Sequence, residues 1–193
     1  MWILNTLLAL DEIEQVVINT DARDIFLKHG VVDTDKIRIR DRRPELCGDD
    51  VSMNLVLADD IQNTNADTYL MTHTTNPLLS IDTIRLALAR YGEAVSSGGS
   101  DSMFSVNRVQ TRFYREDGSP VNHDPNDLIP TQQLEPWFEE NSNLYIFNTQ
   151  SFFKTNARIG EKPLMFEMAK IEAVDIDDQQ DWRIAEALLT HEK

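Results

Sequence analysis

Apolar positions along this chain alternate between two periods. "EQVVINT" (residues 14–20) is a short β-rich run, and "DARDIFLKHG" behind it has helical spacing with Gly30 to close it. "KIRIR" alternates at the two-residue period of a strand. "SMNLVLADDIQNT" repeats at the three-to-four-residue period of a helix. "ADTYLMTHT" predicts a strand, and "SIDTIRLALARYGEA" an amphipathic helix with Ser80 as its N-cap. At the start, "MWILNTLLAL" reads as a helix, with Leu4, Leu7, Leu8 and Ile13 recurring on one core face. Strands alternating with helices predict an α/β fold whose mostly parallel sheet is covered on both faces.

The alternation stops at "SSGGS" (residues 96–100). "DSMFSVNRV" is another strand, and residues 108–136 read as irregular and hairpin-like. "EDGS" is a turn there, and Pro120, Pro125, Pro130 and Pro136 punctuate the stretch. "NLYIF" returns to the sheet, "TQSFFKTN" is a short helix, and "LMFEM" and "IEAVDI" are strands. A last helix runs from near Asp178 to about Leu189. With 193 residues, the expectation is one domain carrying an excursion at about residues 104–140. The excursion's Phe113, Leu128, Leu134, Trp137 and Phe138 need cover, which predicts that it reaches over a second copy in a homodimer.

Charge narrows the partners. Asp and Glu number 33 against 18 Lys and Arg, a net charge of −15. Such a surface argues against nucleic acid and anionic membranes as partners, both of which need basic patches. A small anionic ligand needs only a local cationic pocket or a metal. Cys47 is the single cysteine, so no intrachain disulfide forms, which fits a reducing, cytoplasmic setting. "MWILNTLLAL" is too short to span a bilayer and lacks the basic flank of a signal peptide.

Three constellations carry candidate chemistry. On a strand "IEAVDI", Asp175 and Asp177 stand at i and i+2 and share one face. Asp178 and Asp181 have the spacing of a capping box for the next helix. Helix chemistry therefore accounts for the second pair, whereas the first pair repels unless a cation lies between. Either they are solvated acids in a turn, or they are oxygen ligands for Mg²⁺ shared with a phosphate. Next, "DKIRIRDRRPEL" places Lys36, Arg38, Arg40 and Arg42 on one strand face, a solvated edge being the simplest reading. Arg43 precedes Pro44 and is held extended at the strand exit, where it suits a phosphate or carboxylate clamp. Finally, "MTHTTNPLLS" leads from strand to helix through hydroxyls, an amide and a proline, as in nucleotide sites and in ordinary βα connections alike. Nucleophile elbows, zinc spacings and Gly-rich phosphate loops are absent from the sequence.

Taken in order, these segments resemble the acylneuraminate cytidylyltransferase family, which activates sialic and related ulosonic acids. "VVINTD" is similar to the family's second strand, and "RRPELCGDDVS" places Arg43, Asp49 and Ser52 in family positions. "THTTNPLL" resembles its Leu-Gln-Pro-Thr-Ser-Pro-Leu-Arg loop, and "DSMFSV" the strand opening its excursion. "PTQQLEPWFEENSNLYIF" aligns Gln132, Asn141 and Tyr145, and "VDIDDQQDWRIAEALL" resembles the closing Asp-Ile-Asp and helix. The resemblance implies a three-layer Rossmann-like nucleotidyltransferase fold with a dimerisation and sugar-binding excursion. It also implies CTP and an acidic nine-carbon or related ulosonic sugar as substrates, giving a CMP-sugar and pyrophosphate. Mg²⁺ would sit on Asp175 and Asp177, with Asp177 and Arg43 catalytic. Arg43, Ser52, His73, Thr75, Asn76, Gln132, Asn141, Tyr145 and Arg158 would contact substrate.

The chain departs from the family pattern in three places. The family opens with a strand and an Arg- and Lys-containing loop, and Met1 falls where the following helix begins, so a strand–loop unit is expected to be missing. Thr131 stands where an arginine precedes Gln132, and His73 and Leu79 replace the loop's glutamine and arginine. A non-catalytic remnant of the family is therefore an alternative to the enzyme. A glycosyltransferase with an Asp-x-Asp site is less favoured, because such motifs lie mid-chain.

Overall fold

The computed structural model describes residues 2–191. Its elements run α1 (Trp2–Leu8), β1 (Val16–Thr20), α2 (Arg23–Lys28), β2 (Ile37–Asp41), α3 (Met53–Asn63), β3 (Tyr69–Thr72) and α4 (Ile81–Ser96). After these come β4 (Ser102–Val109), β5 (Trp137–Phe147), α5 (Thr149–Thr155), β6 (Pro163–Glu167) and α6 (Gln179–His191). Local chemistry sets several boundaries. Gly30 ends α2 at φ +77°, a conformation that suits glycine. Ser80 caps α4 by accepting from the Thr83 amide at 3.2 Å. Asn148 and Ser151 form a reciprocal capping box at α5.

Burial along β5 shows the layers. Leu144 and Ile146 pack with Ile3 of α1 and with Ile84, Ala87 and Tyr91 of α4. Tyr145 and Phe147 point the other way and pack with Ile61 of α3 and Phe152 of α5. Helices therefore cover both faces of the sheet, the α/β class that the alternation predicts. The strands lie in two sheets: β1 and β2 pair in parallel, and the larger sheet has the order β3-β5-β4-β6. In the larger sheet β3, β4 and β6 share one direction and β5 runs against its neighbours, so the pairing is mixed. The reason is local, since β5 is the return arm of the excursion that leaves β4.

The excursion is narrower than its sequence suggests. β4 and β5 stay paired out to Val109↔Trp137, so the irregular part is residues 110–136. "NLYIF" is only the inner end of an 11-residue strand. Phe113 stacks on Trp137 with centroids 5.1 Å apart, and Leu134 is buried, so the excursion covers part of its own apolar surface. Leu128 stays exposed, as does Phe138.

One close approach joins β4 to the turn before β6. Asp101 accepts from the backbone amides of Glu161 and Lys162, both at 3.0 Å, and Gly160 donates to Ser102 Oγ at 2.8 Å. A Cβ on Gly160 would overlap the Asp101 carboxylate, which those amides hold in place. Gly160→Ala is therefore expected to destabilise the protein by about 1–3 kcal/mol. Urea denaturation measures it, and an unchanged midpoint would contradict the packing.

Candidate functional site

The site forms where β3 ends. Beyond Thr72, the run His73–Ser80 turns toward α4, with the Asn76 amide donating to the His73 carbonyl at 3.3 Å. A second segment, residues 172–176, is held against it. Ile176 donates its amide to the Thr75 carbonyl at 3.0 Å. Asn76 Nδ2 donates to the Val174 carbonyl at 3.4 Å and Asn143 Nδ2 to the Glu172 carbonyl at 2.7 Å. The Glu172 carboxylate accepts from the Ser80 amide (3.2 Å) and hydroxyl (3.0 Å).

These tethers correct one sequence expectation. "IEAVDI" is not a strand: the chain turns at residues 170–173 and then runs irregularly to α6. Its polar backbone groups are drawn to loop backbone and to two asparagine amides instead of to a neighbouring strand. Asp175 and Asp177 consequently do not share a strand face. Asp175 is half-buried, whereas Asp177 is exposed. The neighbouring pair behaves as its spacing predicts. Asp178 accepts from the amides of Gln180 (2.6 Å) and Asp181 (3.0 Å), and Asp181 accepts from those of Asp177 (3.2 Å) and Asp178 (3.1 Å).

Besides Thr72 Oγ1 at the end of β3, three buried amide and carboxylate oxygens here lack partners: Asn76 Oδ1, Asn143 Oδ1 and Asp175 Oδ1. Both asparagine side chains donate to the 172–174 backbone, while no donor from the described residues reaches their oxygens. A buried acceptor without a donor is expensive, and a bound donor or cation relieves it. Among the described residues, no group of three or more His, Cys, Asp or Glu side chains could hold a metal alone. Half-buried Asp175 and exposed Asp177 would need phosphates and water to complete the shell of any cation they held, which is the usual habit of Mg²⁺.

The second half of the site comes from a bulge in β5. Asn141, Ser142 and Asn143 interrupt an apolar strand, and the ladder with β4 shifts register between Phe104 and Val106. Ser142 takes φ 54°. Ser105 Oγ donates to Asn141 Oδ1 at 2.6 Å and accepts from the Leu144 amide at 2.8 Å. Asn141 therefore secures the bulge and sits in a buried network. Beyond the bulge, the Tyr145 hydroxyl donates to Glu140 and is pushed up to about 12, first by burial and then by that carboxylate. Arg158 lies over the Tyr145 ring with its guanidinium carbon 3.8 Å from the centroid, and Nη2 is 3.4 Å from Glu140. Its backbone amide donates to Asn54 Oδ1 at 3.2 Å, which ties it to the start of α3. His73 joins the group electrostatically. Burial lowers its pKa, the Arg158 charge lowers it further, and Asp175 opposes both.

His73, Thr75, Asn76, Tyr145, Arg158 and Asp175 are thus brought to one region. Other expected residues have different surroundings. Ser52 is the N-cap of α3, accepting from the Asn54 amide at 3.3 Å. Gln132 is exposed in the excursion, its carbonyl accepting from Gln110 at 3.3 Å. Arg43 is extended before Pro44, as expected, but pairs with Glu45 and with Asp59 at 3.4 Å. The basic face of β2 is not a solvated edge. Arg40 is nearly buried between Asp59 and Asp60, and Lys36 Nζ donates to the Leu8 (2.9 Å) and Leu10 (2.6 Å) carbonyls. Arg38 donates to the Asn63 carbonyl at 2.9 Å, at the end of α3. Glu140, Asn143 and Glu172 escape the sequence reading. The polar triplet "NSN" inside a strand was the one available signal for the bulge.

Two measurements test this geometry. Histidine NMR titration is expected to place His73 below its ordinary value of about 6.5. Arg158→Leu should raise it and Asp175→Asn should lower it further; a value at or above 6.5 would contradict the surroundings described. Folding depresses this pKa, so the folded state binds fewer protons. The stability that neutral His73 contributes is full above about pH 6.5 and declines as pH falls toward the folded value. Separately, Asp178→Ala should destabilise the protein by about 1 kcal/mol through its cap, measured by thermal melt.

Relatives place this geometry in context. The profile of the cytidylyltransferase family matches residues 1–191. The N-acylneuraminate cytidylyltransferase of Oncorhynchus mykiss is 27% identical over 194 residues, covering 96% of this chain. The chain spans 43% of that protein's length. Among solved structures, CMP:2-keto-3-deoxy-manno-octonic acid synthetase complexed with CTP superposes with a TM-score of 0.64 at 12% identity, over 99% of this chain and 87% of the other. The 4-diphosphocytidyl-2C-methyl-D-erythritol synthase of Anaerococcus prevotii gives 0.68 at 11%, over 97% and 86%. Those identities speak for the fold. With the match running through nearly every residue, the chain belongs to the cytidylyltransferase family.

Proposed function

We propose that the protein transfers the cytidylyl group of CTP to an acidic sugar of the sialic or ulosonic type, releasing pyrophosphate. The observation that carries the reading is Arg158, fixed over Tyr145 and set beside neutral His73, with the orphaned Asp175 oxygen in the same region. That arrangement offers a cation for a sugar carboxylate and a carboxylate for the phosphate side. Family membership and the Oncorhynchus mykiss relative support the choice of reaction and sugar class.

In this reading the sugar hydroxyl attacks the α-phosphorus of CTP, an oxygen–phosphorus bond forms, and the bond to pyrophosphate breaks. Asp175 and Asp177 would hold Mg²⁺, which when bound neutralises phosphate charge and lowers the hydroxyl's pKa. Arg158 orients the carboxylate through charge-assisted hydrogen bonds once Glu140 yields it. The neutral His73 ring has one donor and one acceptor for the substrate, and Tyr145 stays a neutral phenol under Arg158. The protein acts as a cytoplasmic homodimer, with exposed Leu128, Trp137 and Phe138 of the excursion as the contact.

A pyrophosphate-release assay with CTP, Mg²⁺ and an acidic sugar tests the reaction. Asp177→Asn is expected to lower turnover by orders of magnitude and shift stability by no more than about 0.5 kcal/mol, because it is exposed. Arg158→Leu should act mainly on KM for the sugar. No release by the wild-type chain would favour the non-catalytic alternative. In sedimentation, a monomer at micromolar concentration would sink the homodimer.

A further inference from the structure

Glu140 and Tyr145 are five residues apart on β5, yet their side chains are hydrogen-bonded. In a regular strand such residues are about 16 Å apart and face opposite sides. The bulge removes that separation. Phe104 pairs with Tyr145 and Val106 with Glu140, so two steps along β4 face five along β5. Ser142 at φ 54° and the bond from Ser105 to Asn141 hold the extra residues. The result is a carboxylate beside Arg158, whose Nη2 is 3.4 Å away.

That carboxylate is held by one oxygen. The Tyr145 hydroxyl and Arg158 Nη2 both donate to Oε1, and Oε2 accepts from none of the described residues. The side chain is 41% exposed, so a ligand arriving from solvent reaches it. For affinity alone the placement is a hindrance, because a negative group beside Arg158 repels an incoming anion. For chemistry it is apt. In a sugar of the sialic or ulosonic type, the reacting anomeric hydroxyl is on the carbon next to the carboxyl carbon. Gripping the carboxylate with Arg158 brings that hydroxyl to the rim of the guanidinium. Among the described residues, Glu140 is the only carboxylate ion-paired there. The other titratable groups facing it are Tyr145 and Arg158, with His73 coupled to Arg158 through charge. Tyr145 keeps its own proton, being pushed up to about 12, and a guanidinium accepts none.

Resting on the reaction read above, we propose that Glu140 is the general base of the transfer. Its Oε2 takes the proton of the anomeric hydroxyl while that oxygen bonds to the α-phosphorus and the bond to pyrophosphate breaks. Tyr145 keeps the carboxylate oriented by the other oxygen. After the products leave, the exposed carboxyl gives its proton to solvent and the carboxylate returns to Arg158.

Pyrophosphate release is followed across pH with CTP and Mg²⁺, and with N-acetylneuraminic acid or 2-keto-3-deoxy-manno-octonic acid as the acceptor probe. Glu140→Gln keeps the side chain's size and an acceptor for Tyr145. It is expected to lower kcat by about 100-fold or more, to leave KM for the sugar unchanged or lower, and to abolish the acid limb of the kcat profile. Formate should restore turnover to Glu140→Ala at saturating sugar and leave the wild type unchanged. Wild-type kcat in Glu140→Gln would overturn the proposal and leave the transfer reading intact, and so would a change confined to KM. An acid limb that persists in Glu140→Gln and vanishes in His73→Gln would also overturn it, assigning the proton to His73. No release by the wild type with either sugar would remove the reading and the proposal together.

Discussion

Asn76 and Asn143 grip the backbone of residues 172–174, and the site depends on that grip. Each asparagine donates its amide to a carbonyl of the segment, and Ile176 and Glu172 complete the attachment to the β3–α4 loop. Together these bonds hold Asp175 beside the end of β3. The attachment leaves three buried acceptor oxygens unsatisfied. A fold seldom keeps such atoms in one small region without a role, and the cytidylyl-transfer reading gives them one. Under the proposed reaction, a bound cation or ligand hydroxyl would relieve them.

The bulge in β5 has the complementary effect. A regular strand would continue the alternation set by Leu144 to Phe147. At Asn141–Ser142 the chain takes an extra step, and Ser142 accepts a left-handed conformation for it. Glu140 then meets the Tyr145 hydroxyl, and Arg158 lies over the ring. Arg158 is thus positioned by an aromatic face, a carboxylate and Asn54 of a neighbouring helix. Because the Arg158–Glu140 pair is partly exposed and 3.4 Å apart, it contributes little, and the exchange proposed for a sugar carboxylate would cost little.

Charge is distributed less evenly than the net value of −15 suggests. The basic run at β2 is consumed internally, with Arg40 between Asp59 and Asp60 and Lys36, just before the strand, on the carbonyls of Leu8 and Leu10. Those cations hold β2 to its flanking helices. Arg43 is likewise engaged, by Glu45 and Asp59. In the region of β3 and β5, Arg158 lies over Tyr145 and near His73.

Periodicity alone determined the α/β class, the helices and most of the strands, because amphipathic spacing is a property of neighbouring residues. The caps at Ser80, Asp178 and Asp181 were legible for the same reason: capping partners lie within four residues. Of the residues expected from family-like segments, His73, Thr75, Asn76, Tyr145, Arg158 and Asp175 come together in one region. What the sequence misassigned depends on contacts between distant residues. "IEAVDI" has strand composition, but its backbone bonds go to Thr75, Asn76 and Asn143, and so tertiary structure made it a loop. The pairing of Arg158 with Tyr145 and Glu140, that of Arg40 with Asp59 and Asp60, and the separate apolar clusters around β1 and β5 were decided in the same way. Hydrogen bonds and ion pairs across tens of residues follow from which elements become neighbours, and local spacing does not encode that.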